Sequence, residues 1–386
     1  MKCELTISNP QAIILGVNHH NTYGIIRSLA KIHIKPIVII NECKNNCFYR
    51  KSRYIKQLMY VPFDNIVEWL INYGQASGKI RHTLYISSDA LSELVDQNQN
   101  ILKSYYNLPC SGYQGMLSKV MDKQIMGDFA IKSGLTIPYN CKTYDVHELS
   151  NDAINLNYPC IIKPIKSSKG HKSDINICYN DADLKMALSK ITCDKVQIQD
   201  YIDKDFEFQL IGLSLNKGNN IIIPGITKVI WSASNNSNTG IVEIRPIDPR
   251  YQTLINQVTQ FIQSFEYTGS FSVEFLKSKN GTYFFMEINF RNDGNAIVVT
   301  AAGVNLPQIW WEYHNSQQKY KINKCQIRQK TIATPFWNML PCARKENSIF
   351  KMIKYSMRSK IFMDFTLFDP EPFFLQLYQR LKTHLL

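Results

Sequence analysis

Ser270-Phe271-Ser272-Val273-Glu274-Phe275-Leu276 runs into a short polar stretch, and Tyr283-Phe284-Phe285-Met286-Glu287-Ile288-Asn289-Phe290-Arg291 follows it. Asn280-Gly281 between two aromatic, β-branched runs predicts a hairpin. With those two residues as the turn, Glu274 falls directly opposite Glu287; a one-residue bulge would make the pair diagonal. Opposed side chains have Cβ atoms about 4.5–5.5 Å apart, and like charges there repel. Strand side chains alternate, so Asn289 and Arg291 share a face with Glu287. Phe275, Met286, Ile288 and Phe290 take the other face, as core. Two opposed carboxylates with an amide suit a hard cation such as Mg²⁺, which completes its shell with water or phosphate oxygens. The plain alternative is a pair of solvated glutamates neutralised by lysines.

Outward from the hairpin, the chain before residue 115 alternates strand and helix. Ala12-Ile13-Ile14-Leu15-Gly16, Pro36-Ile37-Val38-Ile39-Ile40 and Thr83-Leu84-Tyr85-Ile86-Ser87 read as buried strands. A helix is expected over 24–33, and Ser88-Asp89 is a helix cap. This spacing predicts a parallel sheet with crossover helices and ligands at the carboxyl ends of its strands, where loops 16–21 and 87–89 lie. Farther on, helices are expected over 119–133, 181–191, 251–265 and 295–302. Strands are expected over 158–164, 175–178, 196–198, 207–213, 221–223 and 227–231. The small, polar stretch 232–240 reads as a loop or lid. From 320 onward the chain is aromatic, basic and less periodic.

The 386 residues are too many for one compact core. Apolar residues at 45% and charged residues at 19% exclude a disordered chain. No uninterrupted apolar run is long enough to span a bilayer, no secretory signal is evident, and ten cysteines form neither a dense disulfide framework nor paired zinc ligands. The reading is a reduced, cytoplasmic protein. Forty-four Lys and Arg against 31 Asp and Glu give a net charge of +13, which points to an anionic partner.

The ordered motif set resembles the ATP-grasp superfamily over roughly 117–307. It comprises Met121-Asp122-Lys123 with Gly134 and Pro138, Tyr158-Pro159 with Lys163-Pro164, Gln199-Asp200-Tyr201-Ile202 with Glu207, Gly269 with Val273-Glu274-Phe275, and Met286-Glu287-Ile288-Asn289-Phe290-Arg291. The resemblance implies an α/β (α+β) protein: an N-terminal parallel-sheet domain, 1–115, then a two-lobed ATP-grasp domain, 116–320, with mostly antiparallel sheets. The lid lobe would run over about 135–198 and the catalytic lobe over about 199–320, with 321–386 packed on the latter.

The same resemblance implies the roles. Lys123 and Lys163 would contact ATP phosphates, under a loop carrying Ser167 and Ser168. Gln199, Asp200, Tyr201 and Ile202 would read adenine, and Glu207 the ribose. Glu274, Glu287 and Asn289 would bind Mg²⁺, as two ions with Mn²⁺ as a substitute. Arg291 would face the γ-phosphate and an acyl-phosphate oxyanion, Lys228 would assist ATP, and Arg245 would meet a substrate carboxylate. Asn18, His19, His20 and Asp89 are candidates for touching substrate from the first domain. The family departs here in two places: the phosphate loop has one glycine, and the hinge opens on Gln199 instead of an acid. Within the superfamily, Asn292-Asp293-Gly294-Asn295, Ala302-Gly303-Val304-Asn305-Leu306-Pro307 and Phe368-Asp369-Pro370-Glu371-Pro372-Phe373 are similar to the D-aspartate ligase and carbamoyl-phosphate-synthetase-like group.

The implied activity is an ATP-dependent carboxylate–amine ligase acting on small molecules, an amino acid among them, through an acyl phosphate. Homodimers are common among similar enzymes. A carboxylase or carbamoyl-phosphate-type enzyme activating bicarbonate is the alternative. A non-catalytic nucleotide- or nucleic-acid-binding protein is the alternative of another class; the cluster Arg50, Lys51, Arg53 and Lys56 with Tyr49 and Tyr54 motivates it, but no nucleic-acid motif accompanies it, so no nucleic acid is expected. Residues 349–386 mix Phe and Tyr with Lys and Arg, a composition suited to peripheral contact with an anionic membrane.

Overall fold

A computed structural model describes residues 9–42, 44–149, 156–165, 175–191, 193–232, 240–316 and 325–385. The expected loop residues Ser167 and Ser168, and most of the stretch 232–240, lie outside the described residues.

The first sheet contains β1 (Ala12–Gly16), β2 (Ile37–Ile40), β3 (Gln57–Tyr60), β4 (His82–Ile86) and β5 (Tyr106–Asn107), in the order β3-β2-β1-β4-β5. All its pairings are parallel. Both faces of β1 are buried, which is why it reads as an unbroken apolar run. The order reverses between β1 and β4, so a crevice opens beyond their carboxyl ends. The helix after β1 spans His20–Ala30, four residues ahead of the expected start, because His19 caps it: its Nδ1 accepts from the Asn21 amide at 3.3 Å. Ser88 caps the helix Asp89–Gln97 as expected.

The second sheet has β6 (Lys142–Asp145), β7 (Cys160–Pro164), β8 (Asn176–Cys178) and β9 (Lys195–Asp200), antiparallel in the order β6-β9-β7-β8. The third is eight-stranded: β10 (Lys204–Leu215), β11 (Asn220–Ile222), β12 (Ile226–Trp231), β13 (Ile241–Arg245), β14 (Gly269–Ser278), β15 (Tyr283–Asn289), β16 (Thr331–Thr334) and β17 (Ile361–Phe362). Its path is β15-β14-β10-β12-β13-β16-β17 with β11 on β10, and only the β16–β17 pairing is parallel. One face packs Phe208, Phe271, Phe275, Phe285 and Phe290 against the helix Gln252–Gln263. Burying each of these rings stabilises the sheet by about 1.5–3 kcal/mol.

Two expectations are corrected here. The helix over 119–133 is broken into Met116–Val120 and Lys123–Lys132, because the Asp122 carboxylate accepts from the Gln124 and Ile125 amides and starts a new helix. Lys123 therefore occupies a first turn, not a helix interior. The weakly periodic C-terminal region holds three helices, Phe336–Lys345, Ile349–Arg358 and Glu371–Leu385. The third is tied back through Asp369, just ahead of it, which accepts from the Tyr23 hydroxyl at 3.0 Å and the Arg53 amide at 3.0 Å.

Candidate active site

The three sheets enclose a cleft of about 580 Å³. Its floor is one face of the third sheet, and its register fixes which side chains look in. On the central strand β10, Gln209 pairs with Glu274 of β14 and with Thr227 of β12, and all three line the cleft. Glu274 faces Glu287 directly across the hairpin.

The route to that register differs from the expected one. Lys279-Asn280-Gly281 form a three-residue loop: the Gly281 amide donates to the Ser278 carbonyl at 3.0 Å, and Gly281 adopts φ +94°. This shifts the pairing near the loop by one residue, so that Phe275 faces Phe285. A bulge at Met286 then shifts it back. The two displacements cancel at the glutamates. Met286, expected in the core, sits at the bulge and lines the cleft.

Around the pair, Glu274 Oε1 accepts from Gln209 Nε2 at 3.2 Å and Asn289 Nδ2 at 3.3 Å. Gln209 in turn accepts from Asn295 Nδ2 at 2.9 Å. Lys123 Nζ stands 3.8 Å from Glu287 Oε2. Burial first, then Glu287 and Asp293, push the Glu274 carboxyl up to about 8. Lys163, on β7 of the opposite wall, is 8% exposed, and burial with Lys123 beside it pulls its ammonium down to about 8. A half-buried, mutually repelling carboxylate pair and a buried lysine facing one polar space are groups that a metal and an anion would relieve. Thr227 Oγ1, buried on the same floor, has no hydrogen-bond partner among the described residues. Among the described residues no three His, Cys, Asp or Glu side chains form a metal cage. The two carboxylates suit Mg²⁺, which keeps positions for water and phosphate, while the Asn289 amide beside them gives its nitrogen to Glu274 and its oxygen to Arg291.

Arg291 ties the hairpin to Asp89, just beyond β4 of the first sheet. Its guanidinium donates to Asp89 at 3.0 and 3.3 Å and to Asn289 Oδ1 at 3.2 Å, and lies 3.6 Å from Asp293. Burial would lower its pKa, but Asp89 and Asp293 outweigh it and raise it. Beside it, Asn292 Nδ2 donates to Asn21 Oδ1 at 2.7 Å, and the Asn292 amide donates to the Ile86 carbonyl at 3.0 Å. His19 and His20 line this end with rings 3.8 Å apart. Burial, then His19, pulls His20 down to about 3, so its imidazole is neutral. Gly294 leaves room for it: a Cβ there would stand 2.6 Å from His20 Nε2, so the ring would have to shift.

Other expected residues are placed differently. Asn18 does not line the cleft; its amide donates to the Asn46 carbonyl at 3.0 Å and its Oδ1 accepts from the Phe48 amide at 3.0 Å, holding a loop. Lys228 pairs with Phe208 on the far face of the sheet, its ammonium 3.6 Å from the Phe206 ring centroid. Arg245 is on that far side too, exposed and paired with the buried Glu243, which also holds Lys330. Gln199 and Asp200 close β9, and Tyr201 and Ile202 follow it, without lining the cleft. The Asp200 and Tyr201 amides donate to Tyr139 and Pro159 carbonyls at 3.0 Å each, and the Asp200 carboxylate accepts from Asn140 at 2.9 and 3.1 Å. Glu207 does line the cleft and accepts from Lys204 at 2.7 Å. Gln209, Thr227, Asp293 and Asn295 were missed. Gln209 was findable, since it lies two residues beyond Glu207 on the same strand face.

Residues 122–310 match the family profile described as the ATP-binding domain of the carbamoyl-phosphate synthase L chain. Two formate-dependent phosphoribosylglycinamide formyltransferases from Prochlorococcus marinus strains are 25% identical over 238 residues and 24% identical over 232 residues. Each alignment covers 57% of this chain and 55% of the relative, so the chain spans about half the length of the curated relatives it matches. The fold is similar to that of N5-carboxyaminoimidazole synthetase from Staphylococcus aureus, with TM-score 0.64 and 17% identity over 89% of this chain and 86% of that one. It is also similar to an L-amino acid ligase from Bacillus licheniformis, with TM-score 0.64 and 15% identity over 84% of this chain and 79% of that one. Residues 122–310 of this chain are therefore an ATP-grasp ATP-binding domain.

Proposed function

We propose that this protein is an ATP-dependent ligase that joins a carboxylate to an amine, with an amino acid as one substrate. One observation carries the reading. Two carboxylates meet across a hairpin at the floor of a cleft whose walls bring Lys123 and Lys163 from one side and Asp89, His19 and Arg291 from the other.

Transfer of the γ-phosphoryl group to the carboxylate gives an acyl phosphate, which the amine displaces with release of phosphate. Such chemistry needs positioning and charge neutralisation more than a protein nucleophile. Glu274, Glu287 and Asn289 would hold Mg²⁺, which supplies Lewis-acid charge stabilisation to phosphate oxygens when bound. Lys123 and Lys163 hold the phosphates as point charges. Arg291, fixed by Asp89 and Asp293, presents positive charge to the acyl-phosphate oxygens. Ile161, Ile175, Leu276 and Met286 offer an apolar seat for the base, with Glu207 at the ribose. His19, neutral His20 and Asp89 face the carboxylate and amine. We assign residues 1–115 to the substrate side, 116–320 to ATP, and 321–386 to an extension on the catalytic lobe.

The test is a panel of amino acids, singly and in pairs, with ¹⁸O in one carboxylate. The expected result is Mg²⁺-dependent phosphate release with ¹⁸O in the phosphate and a product mass equal to the two substrates less water. Phosphate release that needs bicarbonate and no amino acid would replace this reading with the carboxylase one. That second reading draws on the similarity to a Hydrogenobacter thermophilus biotin carboxylase domain whose structure holds MgADP and bicarbonate, with TM-score 0.63 and 16% identity over 83% of this chain and 73% of that one.

A further inference from the structure

We infer that the helix Ile349–Arg358 is a docking surface for an anionic phospholipid membrane. This goes beyond the ligase reading and stands without it.

Helical geometry sorts this segment into three sectors. Ile349, Phe350, Ile353 and Met357 fall within about 100° of arc. They are 65%, 88%, 48% and 83% exposed. Lys354 and Arg358 occupy roughly the next 80° and are also exposed. Met352 and Tyr355 fill the remaining arc and pack on Trp231, Ile241 and Ile332 of the third sheet. The helix is therefore anchored by one side only. Its outer side is an apolar strip bordered by cations. Nearby, Leu367 and Phe368 are 81% and 71% exposed in the turn before the last helix. Single exposed apolar residues are ordinary, but four on one strip of a ten-residue helix are not.

Charge decides the occupant. Residues 344–360 hold six Lys or Arg and one acid, Glu346, which Lys351 already engages at 2.6 Å. A second copy docking through a two-fold axis would set this patch on itself and bring like charges together. A bilayer surface with anionic headgroups accepts both halves: the strip enters the headgroup–acyl boundary and the cations meet lipid phosphates. Among the described residues no helix is long and apolar enough to cross a membrane, so the contact is peripheral.

The test is co-sedimentation of the full chain with vesicles of phosphatidylcholine, alone or with about one-third phosphatidylglycerol. Binding is expected only to the mixed vesicles, weakening at least about tenfold between roughly 50 and 300 mM salt. Lys354→Glu with Arg358→Glu should weaken it about thirtyfold. Phe350→Ser with Met357→Ser should weaken it at least about tenfold. All four side chains are exposed, and an unchanged thermal midpoint confirms folding. No binding to mixed vesicles, equal binding to both kinds, or binding unchanged in both folded variants would each overturn the inference. So would a concentration-dependent dimer, lost in the Phe350→Ser variant, in a protein that ignores vesicles.

Discussion

β14–β15 and β12–β13 are antiparallel pairs of one sheet, and each carries charged residues that the chain's order places near nucleotide chemistry. Only one of them delivers those charges to the cleft. Strand β10 shows why. Gln209 looks into the cleft, so its partners Glu274 and Thr227 do as well, whereas Phe208 turns Phe275 and Lys228 to the other face. Function on a sheet is thus decided by parity relative to a shared strand. A cation two strands from the paired glutamates is close in sequence logic and on the wrong side in space.

That contrast can be attacked by mutation. Glu287→Gln or Glu274→Gln should cost about a thousandfold or more in Mg²⁺-dependent phosphate release, because charge stabilisation at the phosphates is lost. Arg291→Met should cost about a hundredfold and also loosen the tie to the first sheet through Asp89. Equal losses from Arg291→Met and Arg245→Met would break the comparison.

pH sharpens it. Glu274 is pushed up to about 8, so below that pH a proton must leave before a divalent ion binds. Mg²⁺ affinity should fall about fivefold from pH 8 to pH 7 and level off above about 9, with proton release visible by calorimetry in buffers of different ionisation heat. The sign for stability is opposite to that of a salt-bridged acid. Between its ordinary value of 4.5 and about 8, the folded chain keeps a proton that the unfolded chain has lost. Raising pH through that window therefore destabilises the Mg²⁺-free protein, and thermal midpoints with chelator present should decline.

The smallest effects belong to the far face. Lys228→Met and Arg245→Met should change turnover by less than about threefold. Lys228→Met should cost no more than about 1 kcal/mol of stability through its contact with Phe206, read from a denaturant melt.

Much of the site was legible because it rests on period-two alternation. Glu287, Asn289 and Arg291 share a face whatever the hairpin loop does, and Asp89 follows from a cap signal. The exact pairing was reached through two compensating one-residue shifts, at the Lys279–Gly281 loop and at Met286, neither of which local spacing reveals. Lys228 and Arg245 illustrate the other limit: alternation says which residues share a face but not which face is wet. Asn18 and Asp122 show that a polar side chain near a ligand edge can be spent on backbone amides. The C-terminal helices escaped notice because their apolar residues serve two surfaces, one packed and one exposed, which blurs the helical period.

The most direct measurement is Mg²⁺ titration of ATP binding by calorimetry, comparing the unsubstituted protein with Glu287→Gln and Arg245→Met at pH 8. The account predicts a Mg²⁺ half-saturation raised at least about tenfold in Glu287→Gln and unchanged in Arg245→Met. An unshifted half-saturation in Glu287→Gln would contradict it.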